Sequence, residues 1–132
     1  MTIKIINPVL SRFHAYHSII RVGDTYYIAN STFEWFPGIR IHESKDLVHW
    51  NLTTSVLDRV ELVDMKGDPC SGGIWAPDLS YADGKFWLVY TDVKIVDGAF
   101  KDMYNYLTVA EDIHGPWSAP IYVNGVGFDA SL

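Results

Sequence analysis

Hydrophobic and polar residues alternate in short runs from one end of the chain to the other, and each run is closed by Gly, Asp, Asn or Pro. No window keeps apolar residues at the 3.6-residue spacing of an amphipathic helix over three turns, so the pattern predicts an almost wholly β chain. The expected strands are Ser18 to Val22, Tyr26 to Asn30, Ile39 to Glu43, Asp78 to Ala82, Phe86 to Asp92 and Tyr104 to Ala110. Gly23-Asp24 and Asp83-Gly84 separate neighbouring runs. Glycine readily adopts the positive φ that tight turns require, so both are predicted hairpins.

The pattern also repeats. Ile19-Ile20-Arg21-Val22-Gly23-Asp24-Thr25-Tyr26-Tyr27-Ile28 lies over Leu79-Ser80-Tyr81-Ala82-Asp83-Gly84-Lys85-Phe86-Trp87-Leu88 at a shift of about sixty positions. Further on, Ser44-Lys45-Asp46-Leu47-Val48-His49-Trp50 resembles Ala110-Glu111-Asp112-Ile113-His114-Gly115-Pro116-Trp117. Each unit is a hairpin, a third strand, an acidic turn and then a Trp. Short strands taken four to a unit with an aromatic signature are how a β-propeller blade reads in sequence. Propellers close with roughly four to eight blades, so a chain with about two is an incomplete ring. Blade one with its loop is expected over 1–70, blade two over 71–126, and the start of a third over 127–132. Within this scheme Asp58 to Gly73, mixed in Gly, Pro and charge, reads as a weakly structured inter-blade loop.

Composition narrows the function classes. The 132 residues are 48% hydrophobic and carry a formal charge of -6, which repels phosphate backbones and anionic membranes. Nucleic acid and membrane are therefore not expected partners. Apolar runs are too short for a membrane span or a secretory signal, and the single Cys70 allows no intrachain disulfide, so a cytoplasmic location is expected. Two open blades leave sheet edges and apolar faces, to be covered either by further blades or by another copy of the chain in a homo-oligomer. The aromatic share of 14% is the first positive clue to chemistry, because aromatic faces stack on the apolar faces of sugars.

Glycosidases use two carboxyl groups flanking the scissile bond, one protonated and one ionised. In a propeller the inner strands of successive blades open into one axial funnel, so residues at blade starts converge. The starts are Phe13 to Ser18, Trp75 to Asp78 and Phe128 to Leu132.

Asn7-Pro8-Val9-Leu10, Ser31-Thr32-Phe33-Glu34-Trp35-Phe36-Pro37-Gly38, Ser44 to Trp50, Gly72-Gly73-Ile74-Trp75-Ala76-Pro77-Asp78 and Gly127-Phe128-Asp129-Ala130-Ser131 together resemble the N-terminal part of family 43 glycoside hydrolases, in the bacterial β-xylosidase branch. The resemblance implies a five-bladed β-propeller that hydrolyses β-1,4-xylosides with inversion, often with α-L-arabinofuranosidase side activity. It implies a xylo-oligosaccharide or aryl xyloside as substrate, and no cofactor. Asp129 resembles the carboxylate that raises the general acid's pKa and orients it. Phe33 and Trp75 match aromatics that line the sugar subsite, although each reads equally well as a core residue. The family's general-base Asp follows the first Phe, within Pro-Asp-Pro-Ser-Ile. Here the stretch reads His14-Ala15-Tyr16-His17-Ser18-Ile19, so Tyr16 occupies the base position. A phenol, protonated at neutral pH, is a poor base for water. The family's acid Glu falls beyond Leu132, and the chain alone is expected to be inactive.

Blander roles compete. Asp129 could be a turn or cap carboxylate. His14 and His17 lack a third ligand, so no metal is assigned. Tyr16 has no neighbouring base to activate it as a nucleophile, Asp78 is expected to hydrogen-bond backbone at a blade start, and Glu34 is a weak candidate for a substitute base. A non-catalytic sugar-binding or interaction module keeping Phe33, Trp75 and Asp129 is the alternative to an enzyme.

Overall fold

β-Branched and aromatic side chains dominate the paired segments, because a pleated surface accommodates their stiff or bulky shapes. A computed structural model describes residues 4–99 and 101–132, and among these residues the structure is strand, turn and bend without helix. The strands β1 (Ala15–Val22), β2 (Thr25–Ser31), β3 (Ile39–Ser44) and β4 (Asn51–Ser55) form one antiparallel sheet in that order. A second sheet repeats the meander with β5 (Gly73–Ala82), β6 (Lys85–Val93), β7 (Met103–Ala110) and β8 (Ile121–Asn124). Both expected hairpins turn where the glycines stand, with φ of 61° at Gly23 and 73° at Gly84.

Every strand expected from the alternation is present, and β4 and β8 are additional. Asn51–Ser55 contains no buried residue and Ile121–Asn124 is exposed throughout, so neither has the buried face that writes alternation into a sequence. β5 also begins at Gly73, well before the expected Asp78. Pro77 argues against a strand, yet it lies in a register shift between Trp75 and Asp78, where the ladder tolerates a missing donor.

The acidic turns repeat in structure as they do in sequence. Asp46 Oδ1 accepts from the His49 amide at 2.8 Å, and Asp112 Oδ1 from the His114 amide at 2.9 Å. The Trp that follows each turn donates its indole N–H back into it, Trp50 to the Leu47 carbonyl and Trp117 to the Ile113 carbonyl, both at 3.2 Å.

One core lies between the sheets. Ala29, Ile39 and Ile41 pack with Ile74, Leu79, Leu88 and Tyr90, and the Tyr27 and Phe86 rings meet edge to face across the boundary at 5.6 Å. The segment expected as a weakly structured loop is part of this core: Val63 and Met65 are buried in it. It is also tied to β6 by charge, because Lys94 Nζ lies 3.1 Å from both Asp68 and Asp92. Burial outweighs the lysine at Asp92 and pushes that carboxyl up to about 6.

The sheets also meet backbone on backbone. Phe33, just past β2, bridges Ile74 of β5; the Ile74 amide donates to the Phe33 carbonyl at 3.2 Å, and Ser31 Oγ donates to the Ile74 carbonyl at 2.5 Å. A Cβ on Gly73, whose φ is 69°, would stand 2.6 Å from the Phe33 carbonyl oxygen. Gly73→Ala is therefore expected to cost about 2 kcal/mol or more in urea unfolding; a loss of a few tenths would show that the seam yields.

On the opposite face of the first sheet, His42 is buried with the His14 ring edge-on at 5.0 Å. Burial, then the neighbouring His14 and Arg40, pushes His42 down from 6.5 to about 4. A histidine that resists protonation when folded contributes stability that is complete above its unfolded pKa and is lost as pH falls toward the folded value. The difference in urea midpoint between wild type and His42→Gln is thus expected to shrink between pH 6.5 and 4, and a constant difference would exclude His42 as the source.

Candidate active site

The site grows from a break that β1 and β5 share. Each strand slips register once, between Ala15 and His17 and between Trp75 and Asp78, and the residue at the slip has a positive φ, 39° at Tyr16 and 29° at Ala76. Bulges re-aim side chains out of the sheet's alternation. Laying Ala15-Tyr16-His17-Ser18-Ile19 over Trp75-Ala76-Pro77-Asp78-Leu79 and Phe128-Asp129-Ala130-Ser131-Leu132 puts Asp129, with a φ of 57°, at the same place in the third unit. Tyr16, Ala76 and Asp129 are thus equivalent positions on successive units.

Aromatic rings connect these positions. Phe13 meets Phe33 at 5.6 Å, Phe33 meets Tyr16 edge to face at 5.4 Å, Tyr16 lies 6.5 Å from Trp75, and Trp75 meets Phe128 edge to face at 5.6 Å. Phe33 and Trp75 are half-buried and stand outside the core cluster, while Phe13, Tyr16 and Phe128 are exposed. The row is an accessible aromatic wall, a surface suited to the C–H face of a sugar.

Two carboxylates brace it. Glu34 Oε2 accepts from the Ser71 amide at 3.1 Å, and the Ser71 carbonyl accepts from the Trp75 indole at 2.7 Å, so Glu34 holds the turn on which Trp75 leans. Asp78 Oδ2 accepts from the Leu132 amide at 3.1 Å. Asp129 itself is exposed. Upstream of it, Asn105 Nδ2 donates to the Val126 and Gly127 carbonyls, both at 3.3 Å.

Of the residues singled out from sequence, Tyr16, Phe33 and Trp75 share one wall, and Asp129 follows Phe128 at its end. His14 is turned elsewhere, its Nε2 3.1 Å from the Ser11 carbonyl and its ring against His42. Among the described residues no group of three or more His, Cys, Asp or Glu is arranged to hold a metal ion. The sequence reading passed over Phe13 and Phe128 as wall members. The signal for Phe128 was available, since the repeat aligns it with Trp75.

The comparisons with known proteins agree with this architecture. Residues 5–132 match glycosyl hydrolases family 43, and the chain belongs to that family. Over 129 residues it is 64% identical to a beta-xylosidase of Bacillus subtilis, covering 98% of this chain and 24% of the relative. It is 58% identical to xylosidase/arabinosidase 43B of Humicola insolens, covering 96% of this chain and 23% of the relative. The crystal structure of xylan beta-1,4-xylosidase from Bacillus halodurans superposes with a TM-score of 0.94 at 62% identity, over 97% of this chain and 24% of that one. The chain spans about a quarter of the length of these relatives. Its two sheets are blades of a five-bladed β-propeller.

The clamp on Trp75 is open to test. Glu34→Ala is expected to cost about 1–2 kcal/mol in thermal unfolding, whereas Glu34→Gln, which keeps an acceptor oxygen, costs much less. Equal losses would mean that the charge of Glu34, not its hydrogen bond, is what counts.

Proposed function

We propose that this chain forms two blades of a β-xylosidase-type glycoside hydrolase and contributes the walls of its sugar site. The observation that carries this reading is the aromatic row from Phe33 through Tyr16 and Trp75 to Phe128, ending beside Asp129. Phe33 and Trp75 take the apolar face of a xylose unit from a xylo-oligosaccharide or aryl xyloside. Asp129 keeps a negative charge near a protonated general acid supplied by a later blade, favouring that acid's neutral form. The names of the relatives, a beta-xylosidase and a xylosidase/arabinosidase, support a β-xyloside as main substrate with an arabinofuranoside as a second.

Inverting hydrolysis needs an ionised base on the far side of the sugar from the acid. The base position holds Tyr16, a phenol packed against Phe33 and Trp75, and the nearby Glu34 is engaged with the Ser71 amide. Water activation is therefore the missing step, and the chain as it stands hydrolyses xylosides poorly or not at all. The Tyr16 contacts also favour the second reading, a site that binds xylosides without cleaving them.

Turnover of a chromogenic β-xyloside and binding of xylobiose separate these readings in the full-length protein. No turnover above background is expected, with a gain of roughly a hundredfold or more over wild type in Tyr16→Asp. Turnover by the unaltered protein equal to that of Tyr16→Asp would overturn the assignment of the base position. Xylobiose binding that is lost in Trp75→Ala supports the wall, and binding unchanged by that substitution overturns it.

A further inference from the structure

Ser18 and Asp78 occupy the same place in the repeat, two residues after the bulge, and both spend a side-chain oxygen on the next unit. Ser18 Oγ accepts from the Leu79 amide at 2.9 Å, and Asp78 Oδ2 accepts from the Leu132 amide at 3.1 Å. The donors are equivalent as well. Leu79 lies three residues after the Ala76 bulge, and Leu132 lies three residues after Asp129. One hydrogen bond thus passes from each inner segment to the next, always just downstream of the bulge.

We infer that Asp78 is a positioning residue of the candidate site: by latching the Leu132 amide it holds Asp129 and Phe128 in place beside Trp75. Its consequence for sugar binding rests on the glycosidase reading, whereas the latch itself does not. The short segment carrying Asp129 is gripped on both sides, by Asn105 on the Val126 and Gly127 carbonyls and by Asp78 on the Leu132 amide. Asp129 is exposed and takes no part in either grip. With the downstream hold released, the segment pivots about Gly127, whose φ of 74° already marks a turn, and the 5.6 Å contact between Phe128 and Trp75 opens.

The test compares Asp78→Ala with Asp78→Asn in the full-length protein. It reads amide exchange at Leu132 and the dissociation constant for xylobiose, with far-UV circular dichroism to establish that each variant is folded. Asp78→Ala is expected to speed Leu132 exchange and weaken xylobiose binding, each by about tenfold, while Asp78→Asn, which keeps an acceptor oxygen, stays within about twofold of wild type on both. Unchanged exchange in Asp78→Ala overturns the latch. Faster exchange with unchanged affinity overturns the positioning role and leaves Asp78 a structural residue. An Asn variant as impaired as the Ala variant also overturns it, since charge would then be the cause. Failure of the wild type to bind xylobiose would count against the glycosidase reading alone, and exchange would still decide the latch.

Discussion

Where Gly73 passes the Phe33 carbonyl, the two blades approach so closely that no side chain fits between their backbones. That approach fixes much else. It lets the Ile74 amide reach the Phe33 carbonyl and lets Ser31 close a second bond to Ile74, so the seam is hydrogen-bonded rather than merely packed. Phe33 and Ile74 are bridged, and Trp75 follows Ile74, so the same contact sets two rings of the aromatic wall at a fixed spacing. A blade cannot bury its apolar face alone, and the core is shared across this boundary. Stability and site geometry are therefore two consequences of one contact.

The inner-strand bulge is the second constraint. A non-glycine residue at positive φ carries a backbone cost on the order of 1–3 kcal/mol, which persists only where surroundings over-determine it. Tyr16, Ala76 and Asp129 all adopt it at equivalent positions. What the cost secures is direction: the bulged residue leaves the sheet's alternation and points where its neighbours cannot. A fold that repeats this device presents several independently chosen side chains to one place, which suits chemistry needing groups from separate segments.

Much of this could be read from the chain. The hairpins at Gly23-Asp24 and Asp83-Gly84, the strands with a buried face and the repeated acidic turn followed by Trp were all legible, because each is encoded within a few residues. β4 and β8 were not, since Asn51–Ser55 and Ile121–Asn124 pair at an exposed edge and bury no face. The role of Val63 and Met65 was hidden by the Gly, Pro and charge around them; only packing between blades shows that the segment is core. At the site, Tyr16, Phe33, Trp75 and Asp129 came from motif resemblance, and the structure supplied what motifs omit: how they are braced. Glu34, read as a weak candidate base, is a clamp on the Ser71 amide, a partner 37 positions away that no local pattern reveals.

The braces explain why binding and hydrolysis can come apart in such a site. The spacing of Phe33 and Trp75 is set by Gly73, Ser31 and Glu34, and the segment carrying Phe128 is held by Asn105 and Asp78; none of these holds is made by the side chain that the first bulge presents. On the proposed reading a carboxylate there would serve as the base; Tyr16 instead extends the aromatic row, meeting Phe33 edge to face. On that reading, a ring in place of a carboxylate would withdraw a proton acceptor while enlarging the surface available for stacking. Because the bulge fixes direction and the seam fixes spacing, the side chain at the first bulge can differ while the seam beside Phe33 and Trp75 keeps its own hydrogen bonds.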